Sequence, residues 1–500
     1  MIQGTASSSG KSLITAALCR IFHQDGCRVA PFKAQNMSNN SFVTRNGLEM
    51  GRAQVVQAYA AGLEPDVRMN PVLLKPSSDA GSQVVLRGKP VFTMSARDWH
   101  QTRSQLRETI RECYDSLAAE YDLLVIEGAG SPAEINLKKN DIVNMGMAKM
   151  ADAPVVIVGD IDRGGVFASL VGTMQLLDPE ERARVKGFII NKFRGNVDLL
   201  KPGLDELERI TGIPVLGVIP WISHAIDDED SVTDRFAQHE SSSADIDICI
   251  VRPSHISNFT DFIPLEMVPG VRVRWCIWAD EIGTPDLLII PGTKATIADL
   301  QEFKKTGIAD QIVNYARNGG TVIGICGGFQ MLGNDIRDPD HFENNCEQES
   351  GLQLLDMSTI FHDTKCTVQT KVNLSGKSLW LLEELKSIQI DGYEIHMGQS
   401  EFGKYLPFTT ITDTSGSEKI TGIADTTGRI AGTYCHGFFD SKEVVSGVVN
   451  ALRIAKGLTP LSYEIFDRRH VLDNDLNRLA DVCREALSMN NIRKILEQQI

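Results

Sequence analysis

The sequence lacks every signature of a membrane or secreted protein. No apolar run reaches the ~18 residues that a bilayer span needs. The first residues, Met1-Ile2-Gln3-Gly4-Thr5-Ala6-Ser7, offer neither a basic n-region nor an apolar h-region, so no secretory signal is expected. The 10 cysteines are scattered and none forms a C-x-x-C pair. That excludes a disulfide framework or a structural zinc ribbon and points to reduced thiols in the cytoplasm. Basic charge is also in deficit, with 50 Lys+Arg against 65 Asp+Glu and a formal net charge of −15. A general nucleic-acid binder needs a basic face, so that class is excluded too, although a local basic pocket for an anionic small molecule is not. There are no internal repeats and no low-complexity tract.

What is present is an ordinary globular composition, 42% hydrophobic and 23% charged, over 500 residues. That length leaves room for two large domains or three smaller ones. Short apolar runs alternate with amphipathic stretches, the pattern of α/β folding on parallel sheets. Strands are expected at Leu123–Glu127, Pro154–Asp160, Lys186–Asn191 and Pro214–Ile219, and again at Ile248–Val251, Leu287–Ile290 and Thr321–Ile325. Between the two groups lie the acidic run Asp227-Asp228-Glu229-Asp230 and the cluster Ser241-Ser242-Ser243, which read as a surface linker. The expected fold class is therefore α/β with two doubly wound, mostly parallel domains: residues 1–225, a linker at 226–246, and residues 247–445. In the stretch 446–500, Leu476, Leu479, Cys483 and Leu487 recur at helical spacing and predict a helical tail.

Gly4-Thr5-Ala6-Ser7-Ser8-Ser9-Gly10-Lys11-Ser12 is a phosphate-binding loop. Glycine lets the backbone turn its N–H groups inward on phosphate oxygens, and the following helix adds its positive end. Gly4, Thr5, Gly10, Lys11 and Ser12 are the expected ATP contacts, with Lys11 on the terminal phosphates and the Ser12 hydroxyl on Mg²⁺. The loop has one residue more than G-x-x-x-x-G-K-[ST] and resembles that of dethiobiotin synthetase and its relatives. Only Met1-Ile2-Gln3 precedes it, so either the first strand is very short or the natural start lies upstream. Glu127, in Val125-Ile126-Glu127-Gly128, closes an apolar strand and is expected as a second Mg²⁺ ligand. Lys33 is a candidate for stabilising the transferred phosphoryl group.

A second site is written in Gly324-Ile325-Cys326-Gly327-Gly328, the cysteine form of the G-x-S-x-G nucleophile elbow. Cys326 on such a turn stands above the sheet at a helix N-terminus, where a nucleophile is favoured. The Gly327 N–H can receive a developing oxyanion, with a second donor from the backbone near Gly292. The partner base is expected to be His436, in Tyr434-Cys435-His436-Gly437, with His396 in Gly392-Tyr393-Glu394-Ile395-His396 as the runner-up.

The Cys326 elbow followed over a hundred residues later by His436 resembles the class I glutamine amidotransferases, flavodoxin-like domains that release ammonia from glutamine. Their triad places a glutamate two residues after the histidine, where this sequence has Phe438, so what orients His436 is open. Longer strings narrow the resemblance: Pro31–Asn40, Asn70–Pro76, Glu127–Leu137, Ile256–Asp261 and Gly392–Gly398 are similar to the cobyric acid synthase family. That resemblance implies a dethiobiotin synthetase-like amidoligase domain joined to the amidotransferase domain. ATP, Mg²⁺, L-glutamine and a corrinoid would take part, with no tightly bound prosthetic group, nucleic acid or membrane. It further implies amidation of the b, d, e and g carboxylates of adenosylcobyrinic acid a,c-diamide through acyl phosphates. The Lys33–Asn40 and Asn70–Lys75 segments are the expected corrinoid contacts. Two alternatives stand beside it. One is a related amidoligase such as cobyrinic acid a,c-diamide synthase; CTP synthase carries the histidine-x-glutamate pattern absent here. The other is a non-catalytic ATPase switch with a degenerate amidotransferase domain, supported only by the missing glutamate.

Overall fold

The computed structural model describes residues 1–78, 81–95, 99–227, 244–343, 346–412, 417–461 and 467–497. Most of the expected linker, including Ser241–Ser243 and all of the acidic run except Asp227, lies outside the described residues.

In the N-terminal half, four parallel strands lie in the order Ile2–Gly4, Val155–Asp160, Val185–Phe193, Val215–Pro220. The parallel pair Val29–Phe32 and Leu123–Ile126 continues this sheet through a bridge between Ile2 and Glu127. The first strand is thus three residues long. Successive strand residues point to opposite faces, and the cores divide accordingly. Val156, Val158, Ile189 and Leu216 pack with helix Lys11–Gln24 on one face, whereas Val155, Ile157, Phe188 and Ile190 pack with Val166, Leu170 and Leu207 on the other. Burial on both faces explains why these strands read as uninterrupted apolar runs.

The helices Arg468–Ala486 and Met489–Glu497 return to this half of the molecule. Leu472, Leu476, Leu479, Cys483 and Leu487 share a core with Ile14, Ala17, Leu18 and Ile21. The preceding helix, Lys442–Ala455, packs instead on the C-terminal half through Val444, Val445, Val448 and Leu452.

The C-terminal half is one 11-stranded sheet. Five parallel strands run in the order Val271–Cys276, Ile246–Val251, Leu287–Ile290, Val322–Ile325, Ile430–Thr433. Beyond Ile430–Thr433 the sheet turns antiparallel, through Glu418–Ala424 and Leu406–Thr412 to the long hairpin Met357–Ser375 and Ser387–Phe402. That extension is not foreshadowed by apolar runs, because many of the hairpin residues are half-buried or exposed.

The two halves meet along a polar seam. Glu49 of the N-terminal half is buried between Lys75 and Lys365, each 2.6 Å away, and Lys365 belongs to the hairpin. The two ammonium groups outweigh burial and hold the Glu49 carboxyl far below its usual range.

Candidate active sites for phosphate and amide chemistry

The loop after Ile2–Gly4 is shaped by its small residues. Gly10 takes φ 97° at the start of helix Lys11–Gln24, and a Cβ there would stand 2.0 Å from Asn191 Nδ2. Asn191, at the carboxyl end of its strand, donates to the Ser9 carbonyl at 2.9 Å and so closes the loop. A Cβ on Gly4 would collide with Ser9 Oγ at 2.2 Å. The Thr5 N–H donates to Val158 O at 3.0 Å, tying the loop to the neighbouring strand. Lys11 Nζ reaches across the loop, 2.9 Å from Ala6 O and 3.1 Å from Gly130 O.

Glu127 gathers the other expected residues of this site. Its Oε1 accepts from Ser12 Oγ at 2.8 Å and from Lys33 Nζ at 2.8 Å, and its Oε2 accepts from the Gln57 amide. Lys33 and Glu127 are both buried. A hydroxyl and a carboxylate oxygen in contact form an all-oxygen donor set suited to a hard cation such as Mg²⁺. Gln57 is a member of this cluster that sequence reasoning did not single out. It sits on helix Arg52–Ala60, with no motif around it.

The second site lies at the carboxyl ends of the parallel strands of the C-terminal half, where open α/β sheets place their ligands. Cys326 ends Val322–Ile325 with φ 51° and ψ −109°, the strained elbow expected from its glycines. The glycines are needed because Gly324 and Gly328 approach neighbouring backbone so closely that a Cβ would meet Gly328 O at 2.8 Å and Ile290 O at 2.1 Å. Gly327 faces Thr293, whose N lies 3.1 Å from where a Gly327 Cβ would stand. Gly292 lies beside His436, with 3.2 Å from its own virtual Cβ to His436 Cε1. Gly327, next to Cys326, and Gly292, beside His436, thus meet around Thr293, the two segments expected to supply the oxyanion donors.

His436 is brought to Cys326 and held there. Its backbone pairs with Tyr393, N–H to O at 2.8 Å, and its ring stacks on the Tyr393 ring at 5.3 Å between centroids. Its Nδ1 lies 2.7 Å from Asp261 Oδ2, leaving Nε2 for the Cys326 sulfur. Burial disfavours a charged ring, but the Asp261 carboxylate and the sulfur outweigh it and push the His436 pKa up to about 10. Asp261 is the residue that sequence reasoning missed as the orienting acid. It ends the string Ile256–Asp261, which follows the strand Ile246–Val251, and the family-like string was its only signal. Phe438, at the position of the usual glutamate, is a core residue packed on Phe408 and Phe439. The ATPase-switch alternative thereby loses its support.

His396 lines the same cavity as Cys326, but its ring nitrogens are directed elsewhere. Nδ1 faces Gly398 O at 3.2 Å, Nε2 faces Glu394 Oε2 at 3.5 Å, and the ring stacks on Tyr434. Among the described residues, Cys366, Glu394 and His396 form a trio whose ligand atoms lie within 4.8 Å of one another. Hydrogen bonds to Glu394 Oε2 connect the trio. No helix of the described residues is long and apolar enough to cross a membrane.

Comparison with known proteins agrees with both halves. Residues 1–232 match a family described as the CobQ/CobB/MinD/ParA nucleotide binding domain. Residues 247–444 match one described as the CobB/CobQ-like glutamine amidotransferase domain. A cobyric acid synthase from Thermoanaerobacter sp. (strain X514) is 50% identical, over 100% of this chain and 98% of the relative. One from Caldanaerobacter subterraneus subsp. tengcongensis is 51% identical over the same shares. One from Alkaliphilus metalliredigens (strain QYMF) is 50% identical over 99% of each. With a nucleotide-binding half, an amidotransferase half and relatives alike from end to end, this chain belongs to the cobyric acid synthase family of ATP-dependent, glutamine-hydrolysing amidoligases.

Proposed function

We propose that the chain amidates the b, d, e and g side-chain carboxylates of adenosylcobyrinic acid a,c-diamide, each through an acyl phosphate, with one ATP and one glutamine per amide. The single observation that carries this reading is the pairing of two sites in one polypeptide. Cys326, His436 and Asp261 converge at one, and Lys11, Ser12, Lys33 and Glu127 line the other. The division of labour places amidoligase chemistry in residues 1–225 and glutamine hydrolysis in residues 247–445, both in the cytoplasm.

A carboxylate is a poor acceptor for nitrogen. Transfer of the γ-phosphoryl group from ATP to a corrinoid carboxylate oxygen gives an acyl phosphate and ADP, a step that rests on positioning and charge neutralisation. Backbone N–H groups of the 4–12 loop and Lys11 hold the phosphates. Mg²⁺, held by Ser12 and Glu127, would neutralise phosphate charge. Lys33, at 2.8 Å from Glu127, would steady the moving group. In the other half, Cys326 sulfur attacks the glutamine amide carbon, the backbone at Gly327 and Gly292–Thr293 receives the oxyanion, and His436 passes a proton to the departing ammonia. Water then releases glutamate from the thioester. Ammonia displaces phosphate from the activated carboxyl and leaves the amide.

Mass spectrometry of the corrinoid after incubation with glutamine and MgATP tests this reading. Each conversion replaces a hydroxyl by an amino group, so the mass change counts the modified carboxylates. Four are expected, and a product stopping at fewer would contradict the proposal.

A further inference from the structure

The cavity beside Cys326 is lined by three lysines, Lys75, Lys294 and Lys365, and by Glu343. Two of the lysines are spoken for, since Lys75 and Lys365 both pair with Glu49 at 2.6 Å. Lys294 is different. Among the described residues its ammonium has no hydrogen-bond or ion-pair partner, yet its surroundings are dry enough that burial, with Lys75 next, pulls its pKa down. Its backbone is fixed immediately after the Gly292–Thr293 turn by an N–H bond to His255 O at 3.0 Å. A half-buried ammonium that feels Glu343 across the cavity but has no hydrogen-bond acceptor of its own among the described residues leaves its donors open to an anion from outside.

Glu343 provides the opposite charge across the same cavity. Its two carboxylate oxygens accept from Thr296 N at 2.7 Å and Ile297 N at 2.9 Å, at the start of helix Thr296–Thr306. A carboxylate offers about four lone-pair sites, and with the Thr296 hydroxyl also bonded to it, room remains for one further donor. Burial raises the Glu343 pKa, against the pull of those two N–H groups and of Lys294. A cation seated there would restore the favourable balance.

Glutamine carries one anion and one cation on its α-carbon, three carbon–carbon bonds from the amide carbon that Cys326 must reach. We propose that Lys294 and Glu343 read the two ends of that head group, the ammonium of Lys294 taking the α-carboxylate and the carboxylate of Glu343 taking the α-ammonium. Sites built to pair a polar group reject analogues that lack it, because their own buried groups are left unpaired. The pair therefore sets the preference for glutamine over simpler amides. It is a binding device, separate from the Cys326–His436–Asp261 machinery.

The test uses the full chain and two competitors of glutamine hydrolysis. Glutaramate keeps the carboxylate and lacks the ammonium; 4-aminobutanamide keeps the ammonium and lacks the carboxylate. Lys294→Met is expected to raise KM for glutamine and weaken glutaramate by about tenfold or more, as for loss of a charge-assisted hydrogen bond, while 4-aminobutanamide inhibits as before. Glu343→Gln is expected to give the mirror pattern, and Lys294→Arg to restore glutaramate. Loss of both competitors alike in Lys294→Met, or a fall in kcat with KM unmoved, would overturn the assignment. So would a matching loss in alkylation of Cys326 by iodoacetamide, which has no head group and reports the nucleophile alone. The proposal rests on Cys326 as the glutamine nucleophile. Persistence of hydrolysis in Cys326→Ala would remove that foundation separately, whatever the competition pattern.

Discussion

Asp261 Oδ2 stands 2.7 Å from His436 Nδ1, across 175 residues of chain, and supplies the acid that the position of Phe438 does not. The contact selects the tautomer that turns Nε2 to Cys326 and supports the ring when it is charged. Asp261→Asn keeps the shape and removes the charge. Glutamine-dependent synthesis is expected to fall about 10²–10⁴-fold in kcat, by analogy with the loss of the orienting acid in other triads. Ammonia-dependent synthesis, which bypasses the thioester, is expected to stay near the wild-type rate. Steady-state assays with each nitrogen source decide it; equal losses would mean that Asp261 serves the fold of the whole chain.

The same pair makes stability depend on pH. The His436 pKa is raised from 6.5 to about 10 in the folded chain, because Asp261 and the Cys326 sulfur together outweigh burial. A raised histidine pKa contributes stability that is complete below the unfolded value and disappears as pH climbs through the folded one. The melting-temperature gap between wild type and Asp261→Asn is thus expected to be widest below pH 6.5 and to narrow steadily toward pH 10. Calorimetric or fluorescence melts across that window check the slope, and a gap that widened with pH would have the wrong sign.

Separation of the two sites predicts a split phenotype for Cys326→Ala. Removing the sulfur eliminates the thioester, so glutamine-dependent synthesis is expected to vanish against background, while added ammonia still supports amide formation. Cys326 is 5% exposed and joins a close-packed core, and truncation to alanine leaves only a small void. A folded Cys326→Ala protein that also failed with ammonia would contradict the separation.

Glu127 is the hub of the phosphate side, accepting from Ser12, Lys33 and Gln57 at once. Glu127→Gln keeps the volume but breaks the buried ion pair with Lys33, which costs on the order of 3–5 kcal/mol. Amide formation is expected to drop by about 10²–10³-fold with either nitrogen source, in the range of a lost electrostatic stabiliser. Glutamine hydrolysis measured alone is expected to persist. Full synthesis with ammonia in this variant would remove Glu127 from the chemistry.

The parallel cores were legible because strands covered on both faces read as apolar blocks. The expected Leu287–Ile290 coincides with the observed strand, Thr321–Ile325 starts one residue early, and Pro214–Ile219 is shifted by one residue at both ends. The hairpin Met357–Ser375 with Ser387–Phe402 was not legible, since its faces mix buried, half-buried and exposed positions with no clean alternation. At the sites, Cys326, His436, Lys11 and Ser12 sit in short motifs whose glycines are forced by local backbone geometry. Asp261 and Gln57 do not. Each joins its site only through tertiary packing: Asp261 lies on the short helical turn Phe259–Phe262, ten residues past the strand Ile246–Val251, and His436 lies beyond the strand Ile430–Thr433, with Leu287–Ile290 and Val322–Ile325 between those two strands in the sheet. The amphipathic stripe of Leu476, Leu479, Cys483 and Leu487 was visible, but not the surface it covers, helix Lys11–Gln24.

Asn258 joins the two halves at the point where coupling matters. Its Oδ1 accepts from the Ser41 N–H at 3.1 Å and its Nδ2 donates to Tyr393 OH at 3.0 Å, while Tyr393 OH reaches Ser41 O at 3.3 Å. Two residues on, Thr260 Oγ1 donates to Asn40 Oδ1 at 3.0 Å. The same loop ends in Asp261, and the same tyrosine stacks on His436. The seam thus fixes the triad to the Lys33–Asn40 region of the other half. Asn258 holds φ 50°, a left-handed conformation that asparagine tolerates better than alanine. Asn258→Ala removes both side-chain bonds, each worth about 0.5–1.5 kcal/mol net, and strains the turn. If ammonia crosses between the halves at this seam on its way to the proposed acyl phosphate, a loosened seam would let part of it escape. Glutamate released per amide formed is expected to rise well above the wild-type ratio, with ammonia-dependent synthesis largely kept. A ratio equal to wild type in the folded variant would show that the seam is not what retains the nitrogen.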